Sequence, residues 1–301
     1  MKNILDQATN KVNIVGKLLD ATFNTGTTKT GTPYERATLT IRVTQTYGGH
    51  EETSEIPVSM FASQYTSKGS INPAFTSIQE VKKMHTAKSV GIDAADTIRI
   101  TNGNVRENYF VSKSGQLVQN WQLNASFASS ASIADVASFV LDIYIMDMKD
   151  EVDKNDEPTG RLIIKGGLVQ YNGKLDVLEF IVENPDAVDY ISRNWQIDDT
   201  VTVVGRVRVT SIESKSSGAD SSWGEDIPDV GTHMVRELII TKGDDEGKEE
   251  DFAYDPTDIR KAFNVRKAQI EQLQIDAKKG TAPKTAQNPQ SAKTSNFDWE
   301  Y

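Results

Sequence analysis

Residues 36–44 alternate without a break: Ala37, Leu39, Ile41 and Val43 are apolar, while Arg36, Thr38, Thr40, Arg42 and Thr44 are polar. Successive side chains of a strand point to opposite faces, so a period of two fits a strand buried on one side and little else. One face is core; the other offers two guanidiniums to solvent. After a turn at Tyr47-Gly48-Gly49 the pattern returns, with Ile56, Val58 and Met60 inward and Pro57, Ser59 and Phe61 outward. An exposed ring beside arginines on a sheet suits a stacked base and its phosphate.

The flanking sequence extends this into a domain. A first strand covers about residues 12–23, and a polar Thr/Gly turn at 24–32 carries Lys29. Asn72-Pro73 opens a helical segment to about Val90, asparagine being a favoured N-cap and proline a favoured first residue. A fourth strand spans 96–101, with Ile98 and Ile100 inward and Arg99 outward, and residues 105–123 read as a hairpin. Three strands, a helix and two more strands is the order of the OB-fold, a five-stranded Greek-key barrel. Ser and Ala dominate residues 125–132, which read as a linker.

A second copy follows. Residues 139–148 alternate, and two strand-like runs flank Tyr171-Asn172-Gly173, where Asn-Gly is a strong hairpin signal. Asn184-Pro185 opens a helix to Trp195, as Asn72-Pro73 does earlier. Gly103-Asn104-Val105-Arg106 is echoed by Gly205-Arg206-Val207-Arg208, each shortly after an Asp-Thr strand start. A repeat of about 110 residues favours tandem domains. The expected fold is all-β with short helices: two tandem OB-fold barrels, then a C-terminal helix and a disordered tail. The boundaries are 1–124 for the first barrel, 125–135 for the linker and 136–243 for the second barrel. Residues 244–280 form an acidic segment and helix, its stripe Ile259, Phe263, Ile270 and Leu273, and 281–301 the tail.

The chain has 301 residues and a formal net charge of −10, but the charge is uneven. Residues 1–134 hold 13 basic against 10 acidic side chains, whereas residues 135–243 hold 11 against 21. Only the first part has the balance of a phosphate-binding surface. With no cysteine, disulfides and thiolate metal sites are excluded, and His50, His85 and His233 have no ligand spacing. No phosphate-binding loop, nucleophile elbow or dinucleotide fingerprint occurs, so neither an enzyme nor a cofactor is expected. No apolar run approaches a membrane span and the N-terminus is polar, which points to a cytoplasmic protein without membrane contact.

Residues 10–18 (NKVNIVGKL) resemble the opening strand of bacterial single-stranded DNA-binding proteins; residues 37–43 resemble their second strand and 56–61 their third. The similarity covers about the first 125 residues. It implies sequence-independent coating of single-stranded DNA in replication, recombination or repair, with RNA left open. It carries a stacking role to Phe61, to Tyr109 or Phe110, and more loosely to Tyr47. Together with Tyr34, Trp121 and the cations Arg36, Arg42, Arg99 and Arg106, these form the expected outward DNA-binding set. Arg206 and Arg208 match the family's fourth-strand pattern. Two acidic loops nevertheless suggest a second barrel used for self-association or protein contacts, the alternative being that it binds DNA on a local basic face. The end of the chain, Phe297, Asp298, Trp299, Glu300 and Tyr301, alternates rings and acids and resembles the family's tail that docks replication and repair proteins. By analogy the chain forms a homo-oligomer, a dimer presenting four barrels. Its divergence hints at a phage origin, hence the nucleoid or a host cytoplasm. The competing class is an OB-fold protein–protein scaffold without nucleic-acid binding; an OB-fold nuclease would need a carboxylate–arginine metal pocket that the sequence does not reveal.

Overall fold

The computed structural model describes residues 5–112, 115–216 and 229–278. Its first half holds strands β1 (Asn10–Thr27), β2 (Pro33–Tyr47), β3 (His50–Ser63), β4 (Thr97–Val111) and β5 (Leu117–Ser130). Helices α1 (Pro73–Val81) and α2 (Ala87–Val90) lie between β3 and β4. The second half repeats the order with β6 (Val136–Val152), β7 (Pro158–Val169), β8 (Leu175–Val182), helix α3 (Pro185–Asn194), β9 (Thr200–Ser216) and β10 (Asp229–Gly243). Helix α4 (Pro256–Lys278) comes last among the described residues.

Each half closes on itself. β1 pairs with both β2 and β4, and the circuit is completed through β3 and β5, which run parallel. β6 pairs likewise with β7 and β9, and the circuit runs through β8 and β10. The register is set by the pattern read above: Leu39↔Val58 and Ile41↔Ile56 are opposed and buried. A slip of one residue would turn that apolar set to solvent. Across the halves, β1 and β6 form an antiparallel ladder from Asn10↔Leu141 to Val15↔Val136, giving one ten-stranded sheet and one continuous core.

Three local expectations are corrected. The Ser/Ala stretch at 125–132 is not a linker, since β5 continues to Ser130. Its alanines fit where β5 crosses close to β4 and α1: Ala125 opposes Gly103, and Ser77 Oγ both donates to the Ala128 carbonyl and accepts from its amide, at 2.9 Å each. Only residues 131–135 separate the strands of the two halves. The fourth strand and the first arm of the following hairpin are one strand, β4. Its alternation breaks because it carries an extra residue against β1 between Ile14↔Ile100 and Val12↔Gly103, a bulge. The helical segment from Asn72 is split into α1 and α2 by a turn. Both asparagine caps are as expected: Asn72 Oδ1 accepts from the Ala74 amide and Asn184 Oδ1 from those of Asp186 and Ala187.

Candidate nucleic-acid interface

Phe61 and Arg36 are direct partners across β2–β3, both on the outward parity. The Phe61 ring is 53% exposed despite lying mid-sheet. The Tyr34 ring stands beside it, centroids 5.2 Å apart and tilted by 41°. Tyr34 is seated over Gly26 of β1, where an added Cβ would come within 2.5 Å of the Tyr34 hydroxyl, which would push the ring aside. Arg36 is exposed and has no carboxylate partner among the described residues. Asn24 opposes it on β1. Two rings, one free guanidinium and an amide therefore form a platform able to stack a base and hold a phosphate.

The other expected residues are distributed differently. Arg42 shares the outward face about 20 Å along β2, and is bound to its strand partner Glu55 at 2.7 Å. Arg99 is exposed and, like Arg36, without an ion-pair partner among the described residues. Arg106 meets Asp176 of the second half at 3.5 Å. Tyr109 and Phe110 are half-buried on the far arm of β4. The Tyr109 hydroxyl is held above its ordinary pKa by burial first and then by the Glu107 charge. Tyr47 is not on the platform: its ring lies under the Arg206 guanidinium at 4.1 Å and its hydroxyl donates to Gln45. Trp121 is a correction. It is only 8% exposed, on the inward parity of β5 with Leu123, and forms part of the core. Residues 297–301 lie outside the described residues.

Arg206 and Arg208 are also reassigned. Arg206 is bound by Glu52 and Glu183; Arg208 is bound by Glu237 at 2.5 Å and Glu183 at 3.1 Å. Their charge is neutralised inside the protein. Sequence reasoning missed exposed rings, Tyr190 and Phe252 among them. Tyr65, 43% exposed, follows β3 near the platform strand's end, and Tyr171, 72% exposed, sits in the 3-10 turn between β7 and β8. Both lie where no alternation reports orientation. Among the described residues no group of three or more His, Asp or Glu side chains is placed to hold a metal, and no helix is long and apolar enough to cross a membrane.

The architecture is mostly β, two similar five-stranded halves joined in one sheet, with short helices. A family model described as YorF matches residues 8–276, and the chain belongs to the YorF family. No curated protein matches the sequence. Among solved structures, the wild-type single-stranded DNA binding protein from Thermus aquaticus is similar at 13% identity and a TM-score of 0.50, covering 83% of this chain and 98% of its own. A deletion mutant of that protein is similar at 13% identity and a TM-score of 0.48, covering 84% and 99%. At such identity the likeness is one of fold.

Proposed function

We propose that this protein binds single-stranded nucleic acid, DNA in the first instance, without regard to sequence, and that the first half carries the primary surface. The observation behind this reading is the platform of Tyr34, Phe61 and unpaired Arg36 on the open face of β2–β3. Rings supply stacking to any base, and the cation takes the backbone. The fold shared with a single-stranded DNA binding protein supports the same reading. No reaction is assigned; the protein coats and protects the strand in replication, recombination or repair. Residues 297–301 recruit partner proteins, and two barrels per chain assemble into a dimer presenting four.

Titration of oligo-dT against intrinsic fluorescence, at two salt concentrations, tests the reading. Quenching that weakens with salt is expected, and Phe61→Ala should cost about 1–3 kcal/mol on oligo-dT and mixed sequences alike. Loss on one sequence only would contradict stacking without readout. The competing scaffold reading draws on the carboxylates that occupy Arg206 and Arg208. Absence of any binding at low salt would favour it. Deleting 296–301 should leave DNA affinity intact and abolish pull-down of replication proteins; an unchanged pull-down removes that role.

A further inference from the structure

The two halves meet along β1–β6, and the two flanks of this seam are built alike but finished differently. Val12 and Phe139 are partners in the β1–β6 ladder, and each is also opposed by a glycine in its own half: Gly103 on β4 and Gly205 on β9. A Cβ on Gly103 would approach Val12 to 2.6 Å, and one on Gly205 would approach Phe139 to 2.2 Å. The Val12–Phe139 pair thus marks a pseudo-two-fold axis. About it, Arg208 corresponds to Arg106, and the β2–β3 turn with Tyr47 corresponds to the β7–β8 turn with Tyr171.

One flank is closed. Tyr47 covers Arg206, Glu52 binds Arg206 and Arg208, and Ser54 Oγ accepts the Val209 amide. Glu183 and Glu237 complete the neutralisation, Glu237 being the strand partner of Arg208. The other flank is open. Asp176 alone takes the parts of Glu52 and Ser54, meeting Arg106 at 3.5 Å and accepting the Glu107 amide at 3.1 Å. The strand partner of Arg106 is neutral Gln122, in the place of Glu237. Asp176 is itself pushed towards its neutral form by burial, with Arg106 opposing. Lys11 and Arg99 are exposed and lack an ion-pair partner among the described residues. Tyr171 stands open where Tyr47 is covered. Lys11, Arg99, Arg106 and Tyr171 line a groove of about 430 Å³.

The groove is lined by β1 and β4, and the platform stands on β2–β3 of the same half. We propose that the open flank of the seam is a second contact for single-stranded nucleic acid, in which Lys11, Arg99 and Arg106 hold the phosphodiester backbone and Tyr171 stacks a base. The proposal rests on the function proposed above and gives the second half a part in binding through its turn, although its own arginines are occupied.

The test uses the full chain and oligo-dT of about 25 nucleotides, longer than the ~4–16 that one barrel occupies. Lys11→Gln/Arg99→Gln should lower the slope of log affinity against log salt by about 1.4, the share of two phosphate contacts on a single strand. Tyr171→Ala should weaken binding about 5- to 150-fold, the range for one stacked base. All three positions are exposed, so melting temperatures should match the unaltered protein. Photocrosslinking with 5-iodouracil in the oligonucleotide should label Tyr171. If Phe61→Ala weakens binding while the seam variants keep the original affinity and slope, and crosslinks fall only on the platform, the seam contact is overturned and the proposed function stands. If the unaltered protein binds no oligonucleotide, both fall.

Discussion

At the scale of single residues, exposure separates rings with equal chemistry. Phe61 and Trp121 both read as stacking candidates, but the parity of β5 groups Trp121 with Leu123 and Ala125, all buried. Trp121→Ala should therefore destabilise the fold by about 3–5 kcal/mol in urea denaturation, the cost of emptying a large core site. Phe61→Ala should leave the urea midpoint nearly unchanged while weakening oligonucleotide binding. The inward and outward assignment of β2 and β3 was fully legible, because nine consecutive residues alternate. That of Trp121 was legible only by extending the alternation from Leu123 backwards. Tyr65 sits in an isolated bridge with Ile71 and Tyr171 in a 3-10 turn, both too short for the spacing of the chain to carry facing information. The partners of Arg42 and Arg106 depend on which strand lies alongside, and Asp176 is 70 residues from Arg106 in sequence.

At the scale of elements, the capped helices were readable from Asn-Pro pairs, and their energetics follow. Asn184→Ala should cost about 1 kcal/mol, because two amides of α3 lose their acceptor. The stripe expected on α4 faces inward, Ile259 buried and Phe263, Ile270 and Leu273 half-buried, while Val265 and Ile275, off the stripe, face solvent. The helix is fastened to the first half chiefly by Arg266, whose guanidinium grips the Glu107 carboxylate, with Nε donating at 2.7 Å. The Glu107 side chain is only 1% exposed. Arg266→Ala leaves that carboxylate buried without its cation and should cost about 3–5 kcal/mol. Glu107→Gln in the same chain should recover part of the loss, which chemical denaturation of the single and double variants would measure. No periodicity could have foretold this contact between residues 159 apart.

At the scale of the whole molecule, the net charge of −10 conceals an internal use of charge. Glu151, Glu183 and Glu237 of the second half are spent on its own Arg161, Arg206 and Arg208. Burial would raise the Glu237 pKa, but hydrogen bonds from Arg161 and Arg208 outweigh it and hold the group below its ordinary 4.5. Such a group contributes stability fully above 4.5 and loses it as pH falls through its lower folded value. The melting temperature should exceed that of Glu237→Gln near neutrality, and the gap should close as the solution is acidified below about 4.5; a gap independent of pH would contradict the pairing. The repeat announced two similar halves, but the β1–β6 ladder that welds them was not legible, since either strand could have stayed an edge. That weld has a consequence for what evolution can vary. Where two identical chains meet about an axis, any side chain on the axis must face its own copy, so every change there is made twice. Here a valine faces a phenylalanine. Covalent linkage lets each side be altered alone, and a homodimer of either half would place two small or two bulky groups where one of each now fits.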